Sequence, residues 1–161
     1  MKSITYLILI FLLFSCSEDR NQTAIDEDAI SIEVEEVFND YVTHVNTKGI
    51  NGVETYFSKD ERFYWIEDGV VQYPNRKAMV DAIESFYPTV KTVSLKAPKI
   101  EVDVLNSNTT MLYVESVEDI LLNSGYEFTL DGAMTILAAR EEGTWKFLMG
   151  HSSIKKPRGE Y

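Results

Sequence analysis

The stretch EGTWKFLMGHSS, residues 142–153, indicates the fold more strongly than any other part of the chain. A glycine turn signal is followed by alternating large apolar side chains, a pattern typical of a β-strand. Successive strand side chains face opposite sides of a sheet. Four of these residues therefore share one face: Trp145, Phe147, Met149 and His151. This set is the larger and more apolar one, so we expect it to face a cavity, with His151 near the opening.

Working back from this strand, the sequence predicts long strands preceded by helices. Turn signals separate the strand candidates, which are 91–105 (interrupted near Pro98), 109–122 and 126–140. Apolar residues at helical spacing predict helices over 27–47 and, more briefly, 49–57. A strand hairpin around Asp68-Gly69 and a third helix capped by Asn75 come next. Helices first and long strands after them indicate an α+β fold in which a bent sheet leaves a pocket against the helices.

This order of elements resembles the NTF2-like superfamily, and in particular its SnoaL-like branch. The motifs that carry the resemblance are Glu142 to Lys146 followed by His151-Ser152-Ser153, Phe38-x-x-Tyr41, Tyr56-Phe57 and Glu67-Asp68-Gly69. Over about residues 29–154, the resemblance implies a cone: a strongly curved antiparallel sheet wrapped around three helices, with an internal cavity. It also implies a possible homodimer through the outer sheet face. A superfamily that holds isomerases, dehydratases, cyclases and pure binding modules does not by itself imply one activity.

The N-terminus resembles that of a bacterial lipoprotein. A short apolar run ends in Leu13-Phe14-Ser15-Cys16, which is similar to a lipobox and implies cleavage before Cys16 and acylation of that cysteine. We therefore expect a signal peptide at 1–15, an acidic tether at 16–28, the domain at 29–154 and a tail at 155–161. The alternative is a soluble secreted protein with a free thiol. Cys16 is the single cysteine, so lipidation would remove an exposed reactive thiol.

The charge of the chain restricts its partners. With a formal net charge of −11, the protein is expected to bind no nucleic acid, and its membrane contact is expected to be the lipid anchor and not a basic patch. We predict a location in the bacterial cell envelope, with the outer membrane favoured over the inner one because Ser17 follows the cysteine.

Strand parity and the family resemblance together suggest the site residues. The side chains expected to line the cavity are Tyr41, Phe63, Trp65, Tyr113, Phe128, Phe147, Met149 and His151. For an enzyme, the acid–base candidates are His151, Asp131 and Tyr41; Tyr41 resembles the first-helix tyrosine of steroid isomerases, which stands sixteen residues before a Phe, here Phe57. The pair Glu67-Asp68 resembles the site of the isomerase base, although Asp68 is equally well explained by the hairpin turn. No metal or cofactor is expected, because no His or Cys pair has ligand spacing and no glycine-rich phosphate loop is present.

Three functional interpretations remain open at this stage. The first is binding of a small, partly apolar molecule in the cavity. The second is a cofactor-free isomerase, dehydratase or hydrolase, which requires an inward carboxylate beside an aromatic hydroxyl and fails if Asp131 is exposed to solvent. The third is a non-catalytic dimerisation or accessory module of an envelope complex, for which Leu112 and Leu148 would supply an apolar outer face.

Overall fold

The computed structural model describes residues 25–155. Cys16, the signal peptide, most of the tether and most of the tail lie outside the described residues. Within them the elements are α1 Glu27–Lys48, β1 Tyr64–Glu67, β2 Val70–Tyr73, α2 Arg76–Phe86, β3 Val90–Asn106, β4 Thr109–Leu122, β5 Glu127–Glu141 and β6 Thr144–Ile154. The short helix predicted over 49–57 is a single 3₁₀ turn, Val53–Tyr56, and a second such turn, Tyr87–Thr89, follows α2. The predicted third helix is thus the second α-helix.

The strands form one curved six-stranded sheet in the order β2-β1-β6-β5-β4-β3. The predicted α+β class and curved sheet are confirmed, but the sheet is mixed and not fully antiparallel, because β1 runs parallel to β6. Parallel neighbours need a long connection. Here α2 and four strands, β2 to β5, intervene between β1 and β6, so the first and last strands of the sheet region lie side by side.

Side-chain caps define where both helices begin. The carboxylate of Asp26 accepts a hydrogen bond from Ala29 N at 3.0 Å at the start of α1. At the start of α2, Asn75 Oδ1 accepts one from Ala78 N at 2.9 Å, as the sequence predicts. The buried face of α1 is Ile30, Val34, Phe38 and Val45, and this face packs on the inner side of the sheet.

Two hairpins use a two-residue turn that suits glycine. The pairs Asp68-Gly69 and Glu142-Gly143 both have positive φ at each residue: 47° and 86° in the first pair, 49° and 81° in the second. Two consecutive positive φ values match the right-handed twist of the flanking strands, and glycine adopts them without steric cost. The turn predicted at Asp68 is therefore present, joining β1 to β2.

Bulges interrupt the register of two long strands. In β3 the pairing with β4 shifts between Lys96 and Lys99, where Pro98 has no N–H to donate to the ladder. The strand nevertheless continues through the predicted interruption. In β6, Met149 pairs with Leu137 and Phe147 pairs with Ala138, which leaves Leu148 as an extra residue. An extra residue reverses the alternation of side chains beyond it.

The core lies between the helices and the concave side of the sheet. Its largest fully buried side chains are Phe38, Phe63, Phe147, Leu112 and Ile136. The rings of Phe38 and Tyr41 on α1 lie 5.9 and 5.7 Å from that of Phe147 on β6, so aromatic packing fixes the helix against the last strand. This contact sets the position of one wall of the cavity described next.

Candidate functional site

A cavity of about 460 Å³ lies between the helices and the inner face of the sheet. Its apolar walls come from α1 and the 3₁₀ turn, from α2 and from the inward faces of β4, β5 and β6. The large apolar side chains that line it include Phe38, Phe57, Trp65, Met79, Ile83, Leu95, Ile120, Phe128, Met134, Ile136 and Phe147. A volume of this size and an apolar lining with few polar groups are typical of a small-molecule site.

The most enclosed charged group in the cavity wall is Glu118. The even-numbered residues of β4 face inward, so Glu118 lies in the same row as Leu112, Val114 and Ile120. Its cross-strand neighbours are Leu95 on β3 and Leu130 on β5. The carboxyl group is therefore flanked by aliphatic side chains, and it makes no hydrogen bond or ion pair to any other residue in the described range 25–155.

A second group of polar side chains surrounds the opening of the cavity. Phe86 and Ile154, which line the cavity, are 37% and 43% exposed, so they mark this opening. Glu67, Asp68 and Ser153 lie in the same part of the wall. Asp68 also joins two strands, since its N–H donates to Ser152 O at 3.0 Å and its Oδ1 accepts from Ile154 N at 3.1 Å. Its carboxylate is thus partly committed to structure.

The surroundings of several ionisable groups in the cavity wall raise their pKa values. Burial raises the pKa of Glu118, and the negative charge of Glu67 raises it further. The pKa of Glu67 is itself raised, first by burial and then by the neighbouring charge of Asp68. Burial also raises the pKa of Tyr41, with a further contribution from Glu118. The Tyr41 hydroxyl and the Glu118 carboxyl group are thus two polar groups in an otherwise largely apolar wall.

The structure places four of the predicted lining residues in the cavity wall: Tyr41, Trp65, Phe128 and Phe147. Trp65 is further held by a hydrogen bond from its Nε1 to Ser152 Oγ at 3.2 Å. Phe63 is 1% exposed and packs on Phe57 with a centroid separation of 5.8 Å, so it belongs to the core and does not line the cavity.

The remaining predicted lining residues do not line the cavity: Tyr113, Met149 and His151. The bulge at Leu148 reverses the parity of β6. The side chain of Ser152 therefore lines the cavity, and the inner side of Gly150 faces the Trp65 ring. His151 lies on the outer face opposite Thr135. Tyr113 is 36% exposed and sits on the odd-numbered, outer face of β4.

The predicted catalytic combination is not assembled. Asp131 lies between the inward Leu130 and Gly132, and its side chain is 48% exposed and paired with Lys155 Nζ at 2.9 Å. His151 is exposed on the outer face, and of the three candidates Tyr41 alone lines the cavity. An acid–base mechanism that uses Asp131 and His151 inside the cavity is therefore wrong.

The inward groups that the sequence reasoning missed are Glu118 and Ser116. The signal was present in β4, where Leu112, Val114 and Ile120 share their parity. The competing set, Met111, Tyr113 and Val117, is equally apolar, so parity alone did not separate the two faces. The outer apolar patch proposed for Leu112 and Leu148 is also absent, since these side chains are 0% and 4% exposed.

The sequence profile of the SnoaL-like domain matches residues 34–157. The chain belongs to the SnoaL-like domain family. The matched segment contains β1 to β6, α2 and most of α1, so the whole cavity lies within the SnoaL-like domain. No functionally curated protein gives a significant match to the sequence.

Solved structures share the fold of this SnoaL-like domain at low sequence identity. An NTF2-like superfamily protein from Salmonella enterica serovar Typhimurium is 14% identical, with a TM-score of 0.69 over 83% of this chain and 98% of that chain. A putative scytalone dehydratase from Novosphingobium aromaticivorans is 14% identical, with a TM-score of 0.68 over 81% and 93%. A type 2 hexachlorocyclohexane dehydrochlorinase is 11% identical, with a TM-score of 0.62 over 80% and 93%. At these identities the likeness establishes the fold.

Residues 25–155 lack two further features. No cluster of three or more His, Cys, Asp or Glu side chains with metal-binding geometry occurs among them. No helix in the same range is long and apolar enough to cross a membrane. His44, the other histidine, bonds through Nε2 to Asn51 O at 2.7 Å and does not line the cavity.

Proposed function

We propose that this SnoaL-like protein is a lipid-anchored, extracytoplasmic binding protein that holds a small, partly apolar molecule in its cavity. The observation that carries the proposal is an open cavity of about 460 Å³ with aromatic and aliphatic walls and few polar groups. A core that had evolved for packing alone would fill this space, because protein interiors are close-packed and an unfilled cavity costs stability. The anchor rests on the lipobox-like sequence that ends in Cys16.

A ligand panel with matched variants tests the binding proposal. We expect partly apolar compounds to raise the melting temperature of the protein, because a ligand that binds the folded state alone stabilises it. Ala82→Phe places a benzyl group into the cavity from α2 and is expected to remove the shift. Ser85→Phe adds the same ring to an exposed position of the same helix and should keep it. Equal shifts in the two variants would contradict binding in the cavity.

Mass spectrometry of the mature protein from a bacterial host tests the anchor separately. The expected N-terminal peptide begins at Cys16 and carries acyl chains, and Cys16→Ser is expected to release the protein from the membrane fraction. An unmodified peptide that runs through Lys2 to Cys16 would rule out the anchor while leaving the cavity unaffected.

One observation favours a second function, proton transfer on the bound molecule. Glu118, whose pKa is raised by burial, lies in the same cavity as the Tyr41 hydroxyl. A carboxyl group with a raised pKa in the same cavity as a hydrogen-bond donor can remove and return a proton, as isomerases and dehydratases require. This arrangement uses Glu118 where the sequence predicted Asp131 and His151.

Deuterium exchange distinguishes an enzyme from a binding protein. Ligands that bind are incubated with the protein in D₂O, and mass spectrometry then measures deuterium incorporation at carbon or the appearance of an eliminated product. An enzyme shows incorporation or product formation that Glu118→Gln removes. If every ligand that binds is recovered unexchanged and unaltered, the enzymatic alternative fails and the binding function stands.

A further inference from the structure

The charges around the cavity are all of one sign. Three carboxylic acids line it, Glu67, Asp68 and Glu118, and no Lys, Arg or His side chain among residues 25–155 does so. An anionic ligand would therefore meet only like charge in a region where water is partly excluded. Like charges in such an environment repel strongly, because the effective dielectric constant is lower than that of water.

Glu118 is enclosed by the cavity wall and has no counter-charge in the described range. On the outer surface, Asp119 pairs with Lys96 at 3.6 Å and Glu101 pairs with Lys99 at 2.9 Å. Glu118 lies beside Asp119 in sequence but faces inward between two leucines, with no basic partner in the described range. Leaving a carboxylate enclosed and unpaired costs free energy that a bound cation would recover.

An independent feature of the same wall is the hydroxyl of Tyr41. This side chain is partly buried and lines the cavity, and its oxygen makes no hydrogen bond to any other described residue. Its neighbour Tyr56, by contrast, donates to Asp40 Oδ2 at 2.6 Å. Buried hydroxyl groups normally have a partner, so an unpaired one that faces a cavity indicates a polar group of a ligand.

The aromatic walls of the cavity also favour a positively charged ligand. Tyr41, Trp65, Phe128 and Phe147 all line the cavity. The faces of aromatic rings carry partial negative charge and attract ammonium groups, most strongly where water is displaced. Carboxylate and aromatic faces together favour a cation, whereas an apolar wall alone would not discriminate by charge.

We propose that the cavity selects a molecule whose apolar body carries a positively charged nitrogen, with Glu118 as the counter-charge inside the cavity and Tyr41 as a second polar contact. This inference rests on the proposed binding function and narrows its ligand to amines and related cations. Glu67 at the opening adds negative potential that attracts a cation toward the interior.

Three probes with similar phenyl-alkyl bodies and different charges test the charge preference. They are 2-phenylethylamine, which is protonated at pH 7, the neutral 2-phenylethanol and the anionic phenylacetate. Binding of each to the protein is measured by isothermal titration calorimetry at pH 7. We expect the amine to bind about tenfold or more tightly than the alcohol, because its positive charge adds an ion pair with the Glu118 carboxylate to the hydrogen bond that either compound can make. Phenylacetate is expected to bind most weakly.

Two charge-matched variants locate the effect. Glu118→Gln is expected to remove the advantage of the amine over the alcohol, because the neutral amide still offers a hydrogen-bond partner but no counter-charge. Glu115→Gln removes the same charge from the same strand on the outer face, where Glu115 accepts from Tyr113 Oη at 3.3 Å, and should leave all three affinities unchanged. A loss of amine affinity in Glu115→Gln equal to that in Glu118→Gln would overturn the assignment to Glu118.

The outcomes separate this inference from the proposed function. If alcohol and amine bind equally, or if phenylacetate binds tightest, the inference is overturned while cavity binding stands. If none of the three binds, the inference is also overturned, and the Ala82→Phe comparison with the wider panel then decides whether cavity binding survives. A circular dichroism spectrum of each variant identical to that of the wild type shows that the fold is unchanged.

Discussion

Replacing Gly150 with alanine tests the bulge that orients the last strand. A Cβ added at Gly150 would overlap three carbon atoms of the Trp65 ring, the farthest of them at 2.5 Å. Carbon atoms pack best at about 3.5–4.0 Å, so the ring would have to move by about 1 Å or more. Trp65 is 6% exposed and bonded to Ser152, which leaves it little room to do so. We expect Gly150→Ala to lower the free energy of unfolding by about 1–3 kcal/mol, a cost typical of overpacking.

Urea denaturation followed by tryptophan fluorescence measures this loss directly. The matched control is His151→Ala on the next residue, which is exposed and should change the free energy of unfolding by less than about 0.5 kcal/mol. Without the bulge, simple alternation would place His151 inward and Gly150 outward. A destabilised His151→Ala together with a neutral Gly150→Ala would therefore refute the bulge and restore the simple alternation.

Two further predictions concern titration and the helix contact. The raised pKa of Glu118 means that its carboxyl group stabilises the fold at low pH and loses that contribution as pH rises from the usual value of 4.5 through the raised pKa. The free energy of unfolding of the wild type minus that of Glu118→Gln should therefore fall as pH rises through this window. A difference that rises with pH would contradict the burial of Glu118. Tyr56→Phe removes the bond to Asp40 and should cost at most about 1 kcal/mol in urea denaturation without changing ligand affinity, because Tyr56 does not line the cavity. A loss of ligand affinity in Tyr56→Phe would show that the cavity extends farther than its described walls.

Local signals in the sequence were sufficient for most of the fold. Asn75 before a helical pattern and the Asp-Gly pair before an apolar run each specify a local conformation, and both features are present where expected. The helical spacing of apolar residues likewise predicted α1, whose buried face includes Ile30 and Val34. These features depend on neighbours close in sequence, which explains why they can be recognised without a structure.

The candidate site depended on features that a sequence does not display. The extra residue at Leu148 is visible only in the pairing of β6 with β5, and it reversed the expected orientation of Met149 and His151. On β4 both faces carry apolar side chains, so the inward position of Glu118 follows from long-range pairing and not from local pattern. Gly132 is required because a side chain there would collide with the backbone oxygen of Ser153, a contact that arises only from strand pairing.

A crystal structure of the protein soaked with its tightest-binding panel compound tests the central claim most directly. The account predicts ligand density between Trp65 and Phe147, with a polar atom of the ligand within hydrogen-bonding distance of Glu118 or Tyr41. Density on the outer sheet face beside Tyr113 and His151, with the cavity unoccupied at saturating ligand concentration, would contradict it.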